Sequence, residues 1–215
     1  MKTWKNSLNL LLVAVMASAS VLSSAYAKEQ PPVGATPSDF QVPQTQTMQL
    51  ENGMKVTFIP YGNTPKATIR LITNTGNIDD GDQPWLADLS YEMLRQGTKN
   101  QSAKAIAESV ASMGGQINSS VGMDASWLGV DVLSEFSGDA VAVIADMILQ
   151  PALADKDLAR IKTDQTRRLK VSLSQPGNLA TQAFYKAIYA NHPYGELYPT
   201  EQSLAGINGE HVKQF

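Results

Sequence analysis

Cysteine is absent from the chain, and that one absence excludes disulfides, thiol catalysis and thiolate metal sites together. Histidine is nearly absent: His192 and His211 are the only two, 19 residues apart. A catalytic zinc site normally takes three protein ligands, with histidine prominent among them. Basic charge is also sparse. The formal net charge is −3 and no basic stripe with interleaved aromatics occurs, so nucleic acid is not an expected partner. Nor is there a run fit to cross a membrane. The most apolar stretch, 8–22, is diluted by Asn9, Ser18 and Ser20 and falls short of about 20 residues.

That stretch reads instead as an export signal. Lys2 and Lys5 make a positive start, the apolar run follows, and Ala25-Tyr26-Ala27 supplies the small-x-small cleavage pattern. No cysteine follows the cut, which excludes a lipid anchor. The expectation is a signal peptide over 1–27 and a soluble protein from Lys28 onward, without a membrane association after cleavage, in a bacterial periplasm. Taking 27 residues from 215 leaves 188, enough for one domain with its own core. Taking Lys2 and Lys5 from the 17 basic residues leaves 15 against 20 acidic ones, a balance of −5.

Residues 28–46 carry Pro31, Pro32, Pro37 and Pro43 with little apolar content and read as an extended lead-in. A folded domain over 47–215 is expected to follow. Residues 48–59 alternate around Asn52-Gly53, a strong signal for a two-residue hairpin turn in which both positions take φ > 0. A further strand is expected over 66–75. A polar loop over 76–84 holds Asp79, Asp80 and Asp82 and leads into a helix over 85–96. Ser102 caps a helix over 103–113, with Ile106, Val110 and Met113 at helical spacing, and Gly114-Gly115 stops it. Residues 116–121 and 125–133 form a second hairpin. An apolar helix starts at Ser137 and ends at Pro151, and a long polar one spans 155–173. Pro176-Gly177 breaks it, and another helix runs over 179–189. The chain stops at Phe215 within a helix just begun. Two hairpins, a strand and five or six helices predict an α+β fold, an antiparallel-rich mixed sheet with helices on one face.

The stretch Trp85-Leu-Ala-Asp-Leu-Ser-Tyr-Glu-Met-Leu-Arg-Gln-Gly-Thr98 resembles a helix of the pitrilysin/insulinase (mitochondrial-processing-peptidase-like) zinc metallopeptidase family. Active members read Gly-Leu-Ala-His-x-x-Glu-His-Met-x-x-x-Gly-Thr there. Leu86, Ala87, Met93, Gly97 and Thr98 keep the frame. Asp88 and Glu92 stand where the resemblance puts the two histidine ligands, and Tyr91 where it puts the catalytic glutamate. The likeness extends over 48–215, through Leu50-Glu-Asn-Gly-Met-Lys-Val56, Gly114-Gly-Gln-Ile-Asn-Ser-Ser-Val121, His192-Pro-Tyr-Gly195 and Thr200-Glu-Gln-Ser-Leu204. The family's third ligand, a glutamate on the long helix, falls at or beside Arg168. A cation cannot replace a carboxylate ligand, so all three ligand positions and the general base depart from the pattern.

The chemistry lost is large. In active members zinc acidifies its water and polarises the scissile carbonyl while the glutamate moves protons. Tyr91, with an ordinary pKa near 10, cannot be that base at neutral pH. Asp88 and Glu92 lie at i and i+4, so a charge pair between Arg168 and one or both carboxylates is the expected arrangement. Two carboxylates alone make a poor site for a hard cation, and the sequence signals neither a perturbed pKa nor a nucleophile for metal-free catalysis. No metal or cofactor is therefore expected, although active members hold Zn²⁺. His192 is expected to hydrogen-bond within its turn, His211 to sit in a solvated first helical turn, and Asp79, Asp80 and Asp82 to form a solvated loop.

By the same resemblance, Asn118, Ser119 and Val121 lie on an edge strand that pairs with extended substrate, though an ordinary edge strand fits them equally. The function expected is a non-catalytic member that binds extended peptides or serves as partner subunit of a zinc-bearing homologue. A metallopeptidase using an unrecognised metal site and a truncated remnant without independent function stand as alternatives. Family members carry two similar αβ domains, and this chain is expected to end before the first is complete, exposing a sheet edge and apolar surface.

Overall fold

The computed structural model describes Gly34, Asp39 and residues 41–215. The expected signal peptide over 1–27 and most of the proline-rich lead-in fall outside the described residues. Two units divide the chain, Met1–Tyr61 and Gly62–Phe215.

In the first unit, β1 (Gln46–Gln49) pairs antiparallel with β2 (Lys55–Phe58), with Met48 opposite Val56. The turn differs from the two-residue form expected. Gly53 N donates to Leu50 O at 2.9 Å and Leu50 N to Met54 O at 2.9 Å, so the loop has three residues, Glu51 to Gly53. Only Gly53 takes positive φ, at 88°, while Asn52 Oδ1 accepts from Met54 N at 3.1 Å. Asparagine's side chain thus closes the loop from an ordinary backbone conformation, and glycine alone carries the left-handed step.

The second unit is built on β3 (Lys66–Thr73), β4 (Gln116–Val121) and β5 (Ser126–Leu133), in the order β3-β5-β4 and antiparallel throughout. Seven helices accompany this sheet among the described residues: α1 (Leu86–Leu94), α2 (Ala103–Ser112), α3 (Ser137–Leu149), α4 (Asp155–Leu173), α5 (Pro176–Tyr189), α6 (Glu201–Gly206) and α7 (Gly209–Gln214). The α+β expectation matches this architecture. Pro176 opens α5 at its first turn, where its missing N–H costs nothing, so the break and the new helix begin at the same residue.

Strand alternation sends Ala67, Ile69 and Leu71 of β3, Leu128, Val130 and Val132 of β5, and Ile117 and Val121 of β4 to one side of the sheet. There they meet Tyr91 of α1, Ile106 and Val110 of α2, and Ala140, Val143, Ile144 and Met147 of α3. A second core joins Leu86, Leu89 and Met93 of α1 to Leu158, Ile161 and Leu169 of α4, with Leu204, Ile207 and Val212 closing it. Helix α1 therefore packs between two cores. The residues of its remaining stripe, Asp88 and Glu92, are only half-buried.

Candidate functional site

Helix α1 begins in an unusual way. Trp85 takes φ of 72° and offers no side-chain cap. This is the position at which active family members carry glycine, the residue that adopts such a conformation freely. The indole offsets part of that strain, since its Nε1 donates to Leu197 O at 3.1 Å and its ring meets Tyr198 edge-on at 6.0 Å. The first turn is capped from a distance. Asp80 accepts from Trp85 N and from Ala87 N, each at 2.8 Å, and from Asn77 Nδ2 at 3.0 Å. Asp80 is 6% exposed, which corrects the expectation of a solvated acidic loop: the carboxylate turns inward because helix N–H groups need an acceptor. Burial pushes its pKa up, against the three hydrogen bonds that favour its charge.

Asn77 also donates to Asp88 Oδ2 at 2.8 Å, so one amide holds two carboxylates. Burial raises the Asp88 pKa, the Asn77 bond opposes the shift, and the charges of Asp80 and Glu92 add to it. The sequence carried no sign of this perturbation, because neither burial nor the approach of Asn77 can be read from spacing. Glu92 meets Arg95 at 3.9 Å. The charge pair expected between Arg168 and these carboxylates does not form: Arg168 is exposed and has no ion-pair partner among the described residues. Instead it faces them across a hollow of about 250 Å³, with Ser119 and Val121 of β4 on one wall and Gln165 of α4 beside it.

Tyr91 is 6% exposed and belongs to the sheet core. Its hydroxyl is 2.6 Å from Thr73 Oγ1, so the phenol is committed to a structural bond. The donor set does not fit Zn²⁺. Asp88 is shared with Asn77, Tyr91 is held by Thr73, a guanidinium shares the hollow, and no group of three His, Asp or Glu side chains converges among the described residues.

The strand residues separate by face. Ser119 and Val121 line the hollow, whereas Asn118 lies on the sheet's outer side in a second hollow with Thr68, Arg70 and Trp127. There the Arg70 guanidinium stacks 4.4 Å from the Trp127 ring centre. β4 pairs with β5 alone, leaving its other edge open among the described strands. His192 Nδ1 accepts from Tyr194 N at 3.2 Å, within its turn as expected. His211 is half-buried rather than solvated, with Nε2 at 3.2 Å from Gln83 Nε2.

Spacing alone missed three contributors: Asn77, Asp80 and Gln165. Gln165 had a legible signal, since it falls on the α4 stripe of Leu158, Ile161 and Leu169, four residues after Ile161 and four before Leu169, and the stripe is otherwise apolar.

A family model for insulinase (peptidase family M16) matches residues 56–199. An uncharacterized zinc protease of Rickettsia bellii is 28% identical over 171 residues, covering 78% of this chain and 41% of that protein. The mitochondrial-processing peptidase subunit alpha of Solanum tuberosum is 27% identical over 194 residues, covering 87% of this chain and 37% of that protein. A crystal structure of a peptidase M16 inactive domain from Pseudomonas fluorescens aligns with a TM-score of 0.72 at 26% identity, over 79% of this chain and 42% of that one. The chain spans about two fifths of the length of these two curated relatives.

Proposed function

The chain belongs to the insulinase family of M16 peptidases, and we propose that it acts there as a non-catalytic member, binding extended peptide and completing a zinc-bearing homologue as its partner subunit in the periplasm. One observation carries the reading. The helix that should present ligands to a metal keeps its packing frame, while Asp88 is bonded to Asn77, Tyr91 is bonded to Thr73 and Arg168 adds a cation, an arrangement that suits the ion poorly. The open edge of β4 beside the hollow supports peptide binding, because an added strand gains main-chain hydrogen bonds with little demand on sequence. Two relatives lend support. One similar structure is an inactive domain, and another relative is a subunit of a processing peptidase.

The test is zinc content and peptide cleavage measured together, on the purified chain and on any homologue that copurifies from the periplasm. A zinc-free, inert chain that raises cleavage by a zinc-loaded partner is the expected result. Stoichiometric zinc with cleavage by the isolated chain would sink the proposal and favour a peptidase with an unrecognised site, the activity printed in the name of the Rickettsia bellii relative.

A further inference from the structure

We infer that the hollow on the outer face of the sheet binds a free α-amino acid as its zwitterion, Arg70 donating to the carboxylate and Asp131 accepting from the ammonium group. The site lies on the far side of the sheet from α1 and does not depend on the peptide-binding reading above. Strand register builds it. Thr68 stands opposite Asp131, Arg70 opposite Gly129, and Gly129 opposite Asn118, and alternation turns these positions away from the core. Arg70, Gly129 and Asn118 form one row across three strands, roughly 10 Å from end to end. Trp127 and Asp131 lie two residues to either side of the glycine along β5, and together these residues line about 250 Å³ of open space. Gly129 is the floor. It takes no left-handed φ, so what the position requires is the missing side chain. A Cβ there would collide with Ile69 O and stand 3.0 Å from Arg70 Cγ. Glycine inside a strand often marks a place where another group approaches closely.

The charges on this hollow are the observation that points to a ligand. Arg70 and Asp131 lie on adjacent strands with opposite signs, yet each is held away from the other. The Arg70 guanidinium lies 4.4 Å from the Trp127 ring centre at one end, and Asp131 Oδ1 accepts from Thr68 Oγ1 at the other. Trp127 and Asp131 are four residues apart on an extended strand, so roughly 13 Å of backbone separates the two ends. A guanidinium stacked on an aromatic face keeps its N–H edges for a carboxylate, which it meets two bonds at a time. Asp131 keeps Oδ2, and Asn118 keeps its amide, neither engaged by a hydrogen bond among the described residues. Acceptors for an ammonium group thus stand across the glycine floor from donors for a carboxylate. A lone anion would face Asp131 and a lone cation would face Arg70, whereas a zwitterion satisfies both. The size agrees, since drug-sized pockets begin at roughly 300 Å³ and this hollow is smaller. The ligand's own side chain has the Gly129 floor and the half-buried Trp127 ring to rest on.

The experiment titrates the full chain in a calorimeter with four probes: L-leucine, leucinamide, N-acetyl-L-leucine and dileucine. Leucinamide keeps only the ammonium group and N-acetyl-leucine only the carboxylate. L-leucine should bind about tenfold or more tightly than each of the other three, as one charge-assisted contact provides. Arg70→Gln should remove the preference over leucinamide and keep the preference over N-acetyl-leucine. Asp131→Asn, which leaves Thr68 its acceptor, should do the reverse, and Lys104→Ala, exposed on α2, should retain both preferences. A merely misfolded variant would lose the two ratios together, and the four probes on the parent chain decide the matter without any variant. Heat from none of the probes, or equal binding of the first three, overturns the inference. Tightest binding of N-acetyl-leucine overturns it in favour of a simple anion site on Arg70, and tightest binding of leucinamide in favour of a cation site on Asp131. Dileucine binding as tightly as leucine overturns the assignment to a single amino acid.

Discussion

Asp80 is the residue on which α1 depends at its start. It supplies two oxygens to Trp85 N and Ala87 N, and Ala87 is fully buried. Asp80→Ala leaves those donors without water to replace the lost acceptor and should cost about 3 kcal/mol. Asp80→Asn keeps one acceptor and should cost less. Urea denaturation of the three proteins gives the order, and equal midpoints would show that the cap is dispensable. Asp88 is also raised in pKa but receives no helix N–H from a neighbouring turn. Its folded-state pKa is raised, chiefly by burial, so the folded chain holds that proton more tightly than the unfolded one. Its contribution to stability is full below the unfolded aspartate value of about 3.9 and is lost as pH rises through the raised folded value. Asp88→Asn should therefore melt higher than the parent at pH 7, and the two should converge at pH 3. A lower melting temperature at pH 7 would mean that the carboxylate charge stabilises the fold.

At the scale of elements, α1 is held at its end as firmly as at its start. Gly97 takes φ of 118°, and Thr98 Oγ1 donates to Asp146 of α3 at 2.7 Å while accepting from Asn100 N and Gln101 N at 3.1 and 3.0 Å. Thr98→Val keeps the shape and removes all three bonds, which should cost about 2 kcal/mol. Thermal melts would measure it, and an unchanged midpoint would show that Asp146 finds an equivalent partner. These details explain which parts of the helix were legible beforehand. Leu86, Ala87, Met93, Gly97 and Thr98 declare the frame because packing and backbone geometry tie each to one residue type. The partners of the charged stripe were not legible. Asp79, Asp80 and Asp82 look alike along the chain, and only the folded loop decides that Asp80 turns inward. Arg168 lines the same hollow as Asp88, yet Asn77 engages that carboxylate instead, a neutral side chain that no charge pattern advertises.

Across the second unit, the antiparallel sheet and the helices on one face followed from alternation and helical periodicity, because both record burial directly. The turn at Asn52-Gly53 did not, since two- and three-residue loops share that signature and differ only in whether asparagine takes the left-handed conformation. Helix α5 shows the surface the molecule leaves open. None of its residues is buried, and Leu179, Phe184 and Ile188 are 45%, 61% and 57% exposed. A triple substitution of these to glutamine should change folding stability by less than about 0.5 kcal/mol and reduce self-association, as sedimentation velocity would report. Persistent dimers would direct attention to the free edge of β4 instead. Tyr91 carries a different lesson. The positions at 88, 92 and 168 border solvent and can change with little effect on the fold, but position 91 has been absorbed into the sheet core and bonded to Thr73. Ligand side chains placed at the three open positions would supply donors to a metal, whereas a carboxylate placed at position 91 would ask the core to hold a charge it has no room to solvate.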